Sequence, residues 1–235
     1  PKPNLVLLMA GGFGRRLYPL TRDIPKPLLR VGNKPILESI IEQLAEAGFQ
    51  RFFLAVHYKS EQVRTHFGDG SNWGVTIEYL EEGKPLGTAG ALGLLNHDLV
   101  DAPLLMMNGD LLTRLSFNQL LEYHVAHGGV ATMCVREYNF QIPYGVVQGD
   151  GVLVQGIVEK PVQKYFVNAG IYVLEPRLVK QCNIEQSKDM PDLLQANVEA
   201  GAQVNMFPIH EYWLDIGRME EYERAQVEGV DLKSR

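Results

Sequence analysis

Near its start the chain carries two cations in settings that would present each to an anion. Met9-Ala10-Gly11-Gly12-Phe13-Gly14-Arg15-Arg16-Leu17 follows directly on a short apolar run. Glycines there let backbone N–H groups turn inward and approach an anion without obstruction by a Cβ. Arg16 adds a planar, permanently charged fork suited to phosphate oxygens. Ten residues on, Lys26 stands between Pro25 and Pro27. Two prolines forbid a regular helix and are expected to hold the chain extended, so the lysine is offered from stiff backbone. Taken singly, each feature also fits a tight structural turn or an ordinary surface lysine.

Several other chemistries are excluded. Gly12 and Gly14 fit the first two positions of a dinucleotide-binding GxGxxG, but Leu17 occupies the third. The next apolar run ends in Val56-His57-Tyr58, with no carboxylate for a ribose. The loop lacks the Gly-Lys-Ser/Thr ending of a Walker A motif. No Ser-His-Asp or Cys-His constellation stands out. The histidines show no metal-ligand spacing, and His57, His124 and His127 read as surface or half-buried positions. Cys134 and Cys182 have no CxxC partner and read as ordinary buried thiols.

Such a loop needs an element before it and a scaffold around it. Leu5–Met9, Phe52–Val56, Val75–Leu80, Leu104–Met107 and Val130–Val135 read as strands that are apolar on both faces. Between them lie amphipathic helices. One runs from Pro35 to Ala47 with Gly48 as its stop; another follows the N-cap Ser116 with Leu120, Leu121 and Val125 on one face. Alternation of this kind implies an α/β fold, a Rossmann-like, mainly parallel sheet flanked by helices. After Arg136 the rhythm becomes β-rich. A hairpin is expected over 145–159 about the Gly149-Asp150-Gly151 turn, then a strand over Val167–Leu174. Helices near Asp192–Glu199 and Met219–Glu228 flank a strand at Val204–Phe207. One domain over 1–235 is predicted, with a nucleotide-binding part to about 135 and a β-rich second part from about 136.

The 235 residues carry a net charge of −6, which argues against a nucleic-acid binder. Any anionic ligand must meet locally placed Arg and Lys. No run approaches the length of a membrane span and no leader precedes Leu5, so a cytoplasmic protein is expected, with no membrane partner. A homo-oligomer is compatible with the sequence.

From Gly11 to Leu37 the chain reads G-G-x-G-x-R-L-x-P-L-T-x-x-x-P-K-P-L-L-x-V-x-x-K-P-I-L. Further segments follow in order: Pro85-Leu86-Gly87-Thr88-Ala89-Gly90, Asn108-Gly109-Asp110, Glu159-Lys160-Pro161 with Val167-Asn168-Ala169-Gly170, and Trp213-Leu214-Asp215-Ile216-Gly217. Together they closely resemble the sugar-1-phosphate nucleotidyltransferases. Arg15 departs from the Thr or Ser usual there. The chain to Arg235 shows no hexapeptide repeats, so an added acyltransferase activity or a β-helix trimer is not implied.

The resemblance implies the nucleotide-diphospho-sugar transferase fold, with a sugar-binding lobe in the second part. Its substrates would be a nucleoside triphosphate and a sugar-1-phosphate. Ala10, Gly11, Gly12, Gly14, Gly87 and Thr88 would bind the nucleotide. Arg16 would hold the departing β- and γ-phosphates, Lys26 the α-phosphate, and Lys160 the sugar's phosphate. Asp110 and Asp215 would share Mg²⁺, with Arg16, Lys26 and Asp110 as the catalytic set. Glu159, Asn168 and Gly145 would meet the sugar. For the base, an ionised Glu82 or Glu81 is acceptor-only and could take both N–H donors on guanine's pairing edge, which favours GTP. UTP or dTTP dependence, or a non-catalytic nucleotide-sensing subunit, are the alternatives.

Overall fold

Strand β1 (Leu5–Met9) has buried side chains on both faces because it lies in the middle of a seven-stranded sheet. Val6 and Leu8 join one apolar cluster, whereas Leu5 and Leu7 join a second on the opposite face. Full burial of each leucine contributes about 1.5–3 kcal/mol. The computed structural model describes residues 1–84, 86–183 and 187–228. Pro85 of the segment singled out above, and Arg235 at the chain end, lie outside them.

After β1 the chain forms the minor pair β2 (Arg30–Val31) and β3 (Lys34–Pro35), then helix α1 (Ile36–Glu46). Strand β4 (Arg51–Val56), helix α2 (Ser60–Phe67) and strand β5 (Thr76–Glu81) follow. Next come β6 (Leu104–Asn108), the short β7 (Leu111–Thr113) and α3 (Phe117–His127). Strand β8 (Ala131–Gln141) leads to a hairpin, β9 (Val146–Asp150) and β10 (Leu153–Val158), and then to β11 (Val162–Leu174). The chain continues through α4 (Pro176–Val179), α5 (Met190–Glu199), β12 (Val204–Pro208), β13 (Trp213–Asp215) and α6 (Met219–Glu228).

The sheet order is β12-β8-β11-β6-β1-β4-β5. Pairings β6–β1, β1–β4, β4–β5 and β12–β8 are parallel; β11 alone runs the other way between β6 and β8. The expected mixed, mainly parallel sheet is therefore present. Strands β8 and β11 are longer than expected. Their outer halves leave the main sheet as a two-stranded ribbon capped by the β9–β10 hairpin, with Tyr138, Phe140, Tyr165 and Phe166 exposed.

Three local expectations are corrected. Lys26–Leu28 forms a single 3-10 turn rather than extended chain. Pro25 sits at the extended N-cap and Pro27 inside the first turn, where a missing N–H has no partner to lose. In α3 the buried stripe runs Phe117, Leu120, His124, so Val125 points to solvent at 75% exposure. His124 is buried rather than superficial. Its Nδ1 lies 2.8 Å from Thr132 Oγ1 and its Nε2 3.0 Å from Glu175 Oε1, so both ring nitrogens are satisfied.

His124→Ala should leave two polar partners orphaned. The expected cost is about 1–3 kcal/mol from that loss, before any cavity effect. It should appear as a lower urea midpoint, with ligand affinity at the distant sheet end unchanged.

Candidate functional site

A cleft of about 330 Å³ opens at the carboxyl ends of β1 and β6, where parallel sheets place ligands. Ala10, Gly11, Gly12, Gly14, Arg16, Lys26, Thr88 and Asp110 of the expected site all line it. Ala10 N–H continues the strand ladder to Ala55 O, so the loop leaves β1 only after this bond. Gly14 turns left-handed (φ 62), and a Cβ there would meet Thr21 Cγ2 at 2.7 Å. Thr21 Oγ1 donates to Gly14 O at 2.8 Å and Tyr58 N–H reaches Gly11 O at 3.5 Å. The loop is thus braced from both sides. Thr21 stood in the sequence only as the threonine of the motif from Gly11 to Leu37, and Tyr58 carried no signal of this.

Asp110 comes to the cleft because β6 ends at Asn108 and the chain turns sharply. Gly109 N–H donates to Met9 O at 2.9 Å, and a Cβ on Gly109 would lie 2.6 Å from that oxygen. Lys26 Nζ pairs with Asp110 Oδ2, joining residues 84 apart in the chain. Asp110 Oδ1 is buried with no hydrogen-bond partner among the described residues.

Asp215 arrives from the C-terminal side on β13, which pairs with β7 just beyond Asp110; Ile216 N–H donates to Asp110 O at 3.0 Å. Its pKa is raised, first by the protein around its carboxyl, then by the negative charge of Asp110, and against the pull of Lys26 and Arg16. The residue is exposed, and it lines a small cavity beside the cleft rather than the cleft itself. Arg16 lies against Gly217, where a Cβ would come 3.4 Å from its guanidinium nitrogen. Glu221 of α6 adds negative charge near Asp215 and has one buried oxygen without a partner among the described residues. Neither Gly217 nor Glu221 was expected at the site; only Trp213-Leu214-Asp215-Ile216-Gly217, as a motif, hinted at the first.

Two carboxylates with an orphaned oxygen and mutual repulsion suit a hard divalent cation, which needs few protein ligands when phosphate and water supply the rest. Among the described residues no group of three or more His, Cys, Asp or Glu forms a self-sufficient metal cage.

Thr88 is held from a distance in sequence. Asp189 Oδ1 accepts from its N–H at 2.8 Å, and its Oγ1 in turn accepts the N–H of Met190 at 2.8 Å. The adjoining Gly87 packs its backbone against Lys188 O. Helix α5 begins at Met190, two residues earlier than expected, with Asp189 engaged by Thr88. Glu82, 8% exposed, follows β5 just beyond the cleft lining, whereas Glu81 turns outward to Arg64 at 2.6 Å.

The remaining four residues lie on the ribbon side. Gly145 and Glu159 meet, since a Cβ on Gly145 would sit 2.9 Å from Glu159 Oε2. Lys160 adopts a left-handed backbone (φ 45), its N–H bonded to Tyr144 O at 3.2 Å. A non-glycine residue in that region is strained, a feature that clusters at functional sites. Asn168 borders a small cavity with Asn108 and Asp215. Its amide is already engaged: Oδ1 accepts from Gly170 N–H at 2.9 Å and Nδ2 donates to Tyr172 Oη at 2.5 Å. These bonds fix the irregularity where β11 shifts register against β8. Cys134 is buried with its thiol pKa pushed up by that burial; Cys182 is half-buried.

The sequence profile of the nucleotidyl transferase family matches residues 5–230. The mannose-1-phosphate guanyltransferase of Pichia angusta is 36% identical over 224 residues, covering 92% of this chain and 61% of that protein. The chain thus spans about 62% of the length of the curated relatives it matches. Among solved structures, HddC from Yersinia pseudotuberculosis complexed with GMP-PN aligns with TM-score 0.74 and 25% identity, over 96% of this chain and 99% of that one. A Bacillus anthracis protein crystallised with sucrose shares the fold at TM-score 0.78 and 21% identity, over 98% and 97%. No helix among the described residues is long and apolar enough to cross a membrane.

The raised pKa of Asp215 has a stability consequence. Folded Asp215 holds its proton more tightly than the unfolded chain does. Its favourable contribution is complete below the unfolded pKa and is lost as pH rises through the folded one. At neutral pH and without divalent cations, Asp215→Asn should therefore raise the melting temperature, with the gain shrinking toward acid pH. A lower melting temperature at pH 7 in a chelating buffer would contradict this.

Proposed function

The chain belongs to the nucleotidyl transferase family, and from that premise we propose that it transfers a nucleoside monophosphate to a sugar-1-phosphate and releases pyrophosphate. The observation carrying this reading is the convergence of Arg16, Lys26 and Asp110 on one cleft beside a backbone-lined loop. The share of relatives named as mannose-1-phosphate guanyltransferases supports GTP and a hexose-1-phosphate as the pair.

The attacking group is an oxygen of the sugar phosphate, largely ionised near neutral pH because its second pKa is about 6. It forms a bond to the α-phosphorus as the bond to the β-phosphate oxygen breaks, and that electron pair leaves with pyrophosphate. No protein nucleophile or base is needed; positioning and charge neutralisation suffice. Loop N–H groups and Arg16 hold the departing phosphates. Lys26, oriented by its pair with Asp110, sits where negative charge on the α-phosphoryl group develops. Asp110 and Asp215 would hold Mg²⁺, which supplies Lewis-acid neutralisation of phosphate oxygens. Lys160 approaches the sugar's phosphate from the ribbon, with Glu159 and Asn168 as hydroxyl partners and Gly145 leaving room beside them. The first part of the chain thus serves the nucleotide and the part beyond about residue 136 the sugar. Glu82 is the acidic candidate for the base, since Glu81 is committed to Arg64.

Pyrophosphate release should require GTP, a sugar-1-phosphate and Mg²⁺ together; equal release without the sugar phosphate would identify a hydrolase instead. Lys26→Ala should lower kcat by about 10²–10³-fold, the usual loss for one preorganised electrostatic partner. Asp110→Asn and Asp215→Asn should both remain folded and lose the Mg²⁺ response.

Lys160→Ala should mainly raise the KM for sugar phosphate. Lys160→Gly should do the same, yet be more stable than the alanine variant by about 1–2 kcal/mol, because glycine relieves the left-handed strain. Unchanged KM in both variants would remove Lys160 from the acceptor site.

A further inference from the structure

The ribbon made by the outer halves of β8 and β11 does not end at Gln141 and Val162. Ile142 N–H donates to Pro161 O at 3.0 Å and Lys160 N–H to Tyr144 O at 3.2 Å, which carries the pairing on into the β9–β10 hairpin. Residues 136–167 thus form one two-stranded arm, with a contour of roughly 45 Å from root to tip. No residue from Glu137 to Phe166 is buried. Two strands alone are marginally stable in water and need a further layer against their apolar surface.

That surface is large. Of the nineteen large hydrophobic side chains exposed among the described residues, twelve lie between Tyr138 and Phe166. They leave on the order of 1,000 Å² of apolar surface in water, against the few hundred usual for a monomer.

Strand alternation divides it into two sides. Directly opposite residues share a side, so Tyr138 with Tyr165 and Phe140 with Gln163 stand together. Asn168, Phe166 and Lys164 alternate to the other side, where Lys164 pairs with Glu137 at 3.5 Å. Asn168 borders the cavity beside Asp215, so this second side leads to the cleft at the arm's root. The first side is turned away from it. Tyr138, Phe140 and Tyr165 are 54%, 51% and 56% exposed there. Arg136, at the root of the same side, is committed to the carbonyl oxygens of Ile209 and Glu211.

We propose that the aromatic side of the arm is the surface on which a second copy of this chain docks, arm on arm across a two-fold axis. Charge selects the occupant. The chain carries −6, so two copies repel over most approaches. From Arg136 to Gln141 the aromatic side presents no uncommitted charge, and there the copies can meet. An acidic or basic partner finds nothing to pair with on it. Rings, tyrosine hydroxyls and a glutamine amide do complement their own image, as an isologous contact requires. The area is sufficient as well. Each side holds about half of the arm's apolar surface, so two copies together cover about 1,000 Å² of it, the threshold for a specific interface before any polar rim is added. Half-exposed tyrosine and phenylalanine at the centre match the composition of interface cores.

The test is sedimentation velocity of the chain from about 1 to 100 µM, since interfaces of this size reach micromolar affinity or better. The wild type should sediment as a dimer in the upper part of that range. Tyr138→Lys and Phe140→Lys each set two like charges across the axis, and each should weaken the dimer at least about thirtyfold, the effect of losing a central aromatic contact. Phe166→Lys, equally exposed on the other side of the arm, should dimerise as the wild type does. All three positions face water, so the fold should persist, which circular dichroism checks. A wild type still monomeric at the highest concentration overturns the proposal, as does a dimer that survives both Tyr138→Lys and Phe140→Lys. Equal loss in Phe166→Lys overturns it too, because the contact would not then be confined to the aromatic side.

Discussion

Backbone meets backbone at the ends of β1 and β6: Gly109 donates to Met9 O at a separation that excludes any Cβ. That contact keeps the two strand ends flush, so the loop after β1 and the turn after β6 open into one cleft. Asp110 then stands one residue beyond the strand junction and within reach of Lys26. Were the strands offset by a residue, the side chain following each would change face, since strand side chains alternate. The loop, the ion pair and the approach of Asp215 through Ile216 all depend on this single close approach.

Charge in the cleft is balanced locally within an acidic molecule. Arg16 and Lys26 face Asp110 and Asp215, with Glu221 behind them. Burial, and after it repulsion from Asp110, lifts the Asp215 pKa, a cost in the free protein that a bound dication would offset. Lys26 is half of this balance. By pairing with one oxygen of Asp110 it leaves the other without a partner among the described residues, and the same contact fixes the ammonium group on the cleft wall.

The supports of the cleft come from remote parts of the chain. Asp189 anchors Thr88 across 101 residues, and Trp213 Nε1 bonds Ala169 O at 2.9 Å, tying β13 to the irregular stretch of β11. Asn168 illustrates a dual demand. Its amide stabilises that irregularity, and it also borders the cavity beside Asp215. Any sugar hydroxyl there must use the amide's remaining donor and acceptor capacity.

The apolar runs and their alternation with 3.6-residue periodicity were enough to place β1, β4, β5, β6 and α1 within a residue or so, because these elements bury continuous faces. Gly11 to Leu37 likewise pointed to a glycine loop and two cations, Arg16 and Lys26, which the fold brings to one cleft. Local pattern could not reveal that β11 runs against its neighbours, for strand direction is set by the path of the connections. Nor could it show that His124 is buried, because its acceptability depends on Thr132 and Glu175 brought from other strands. Spacing left Glu81 and Glu82 equivalent. Pairing of β4 with β5 separated them, putting Glu81 opposite Val56 beside Arg64 and Glu82 inside the protein, where its charge is costly and one carboxyl oxygen has no partner among the described residues.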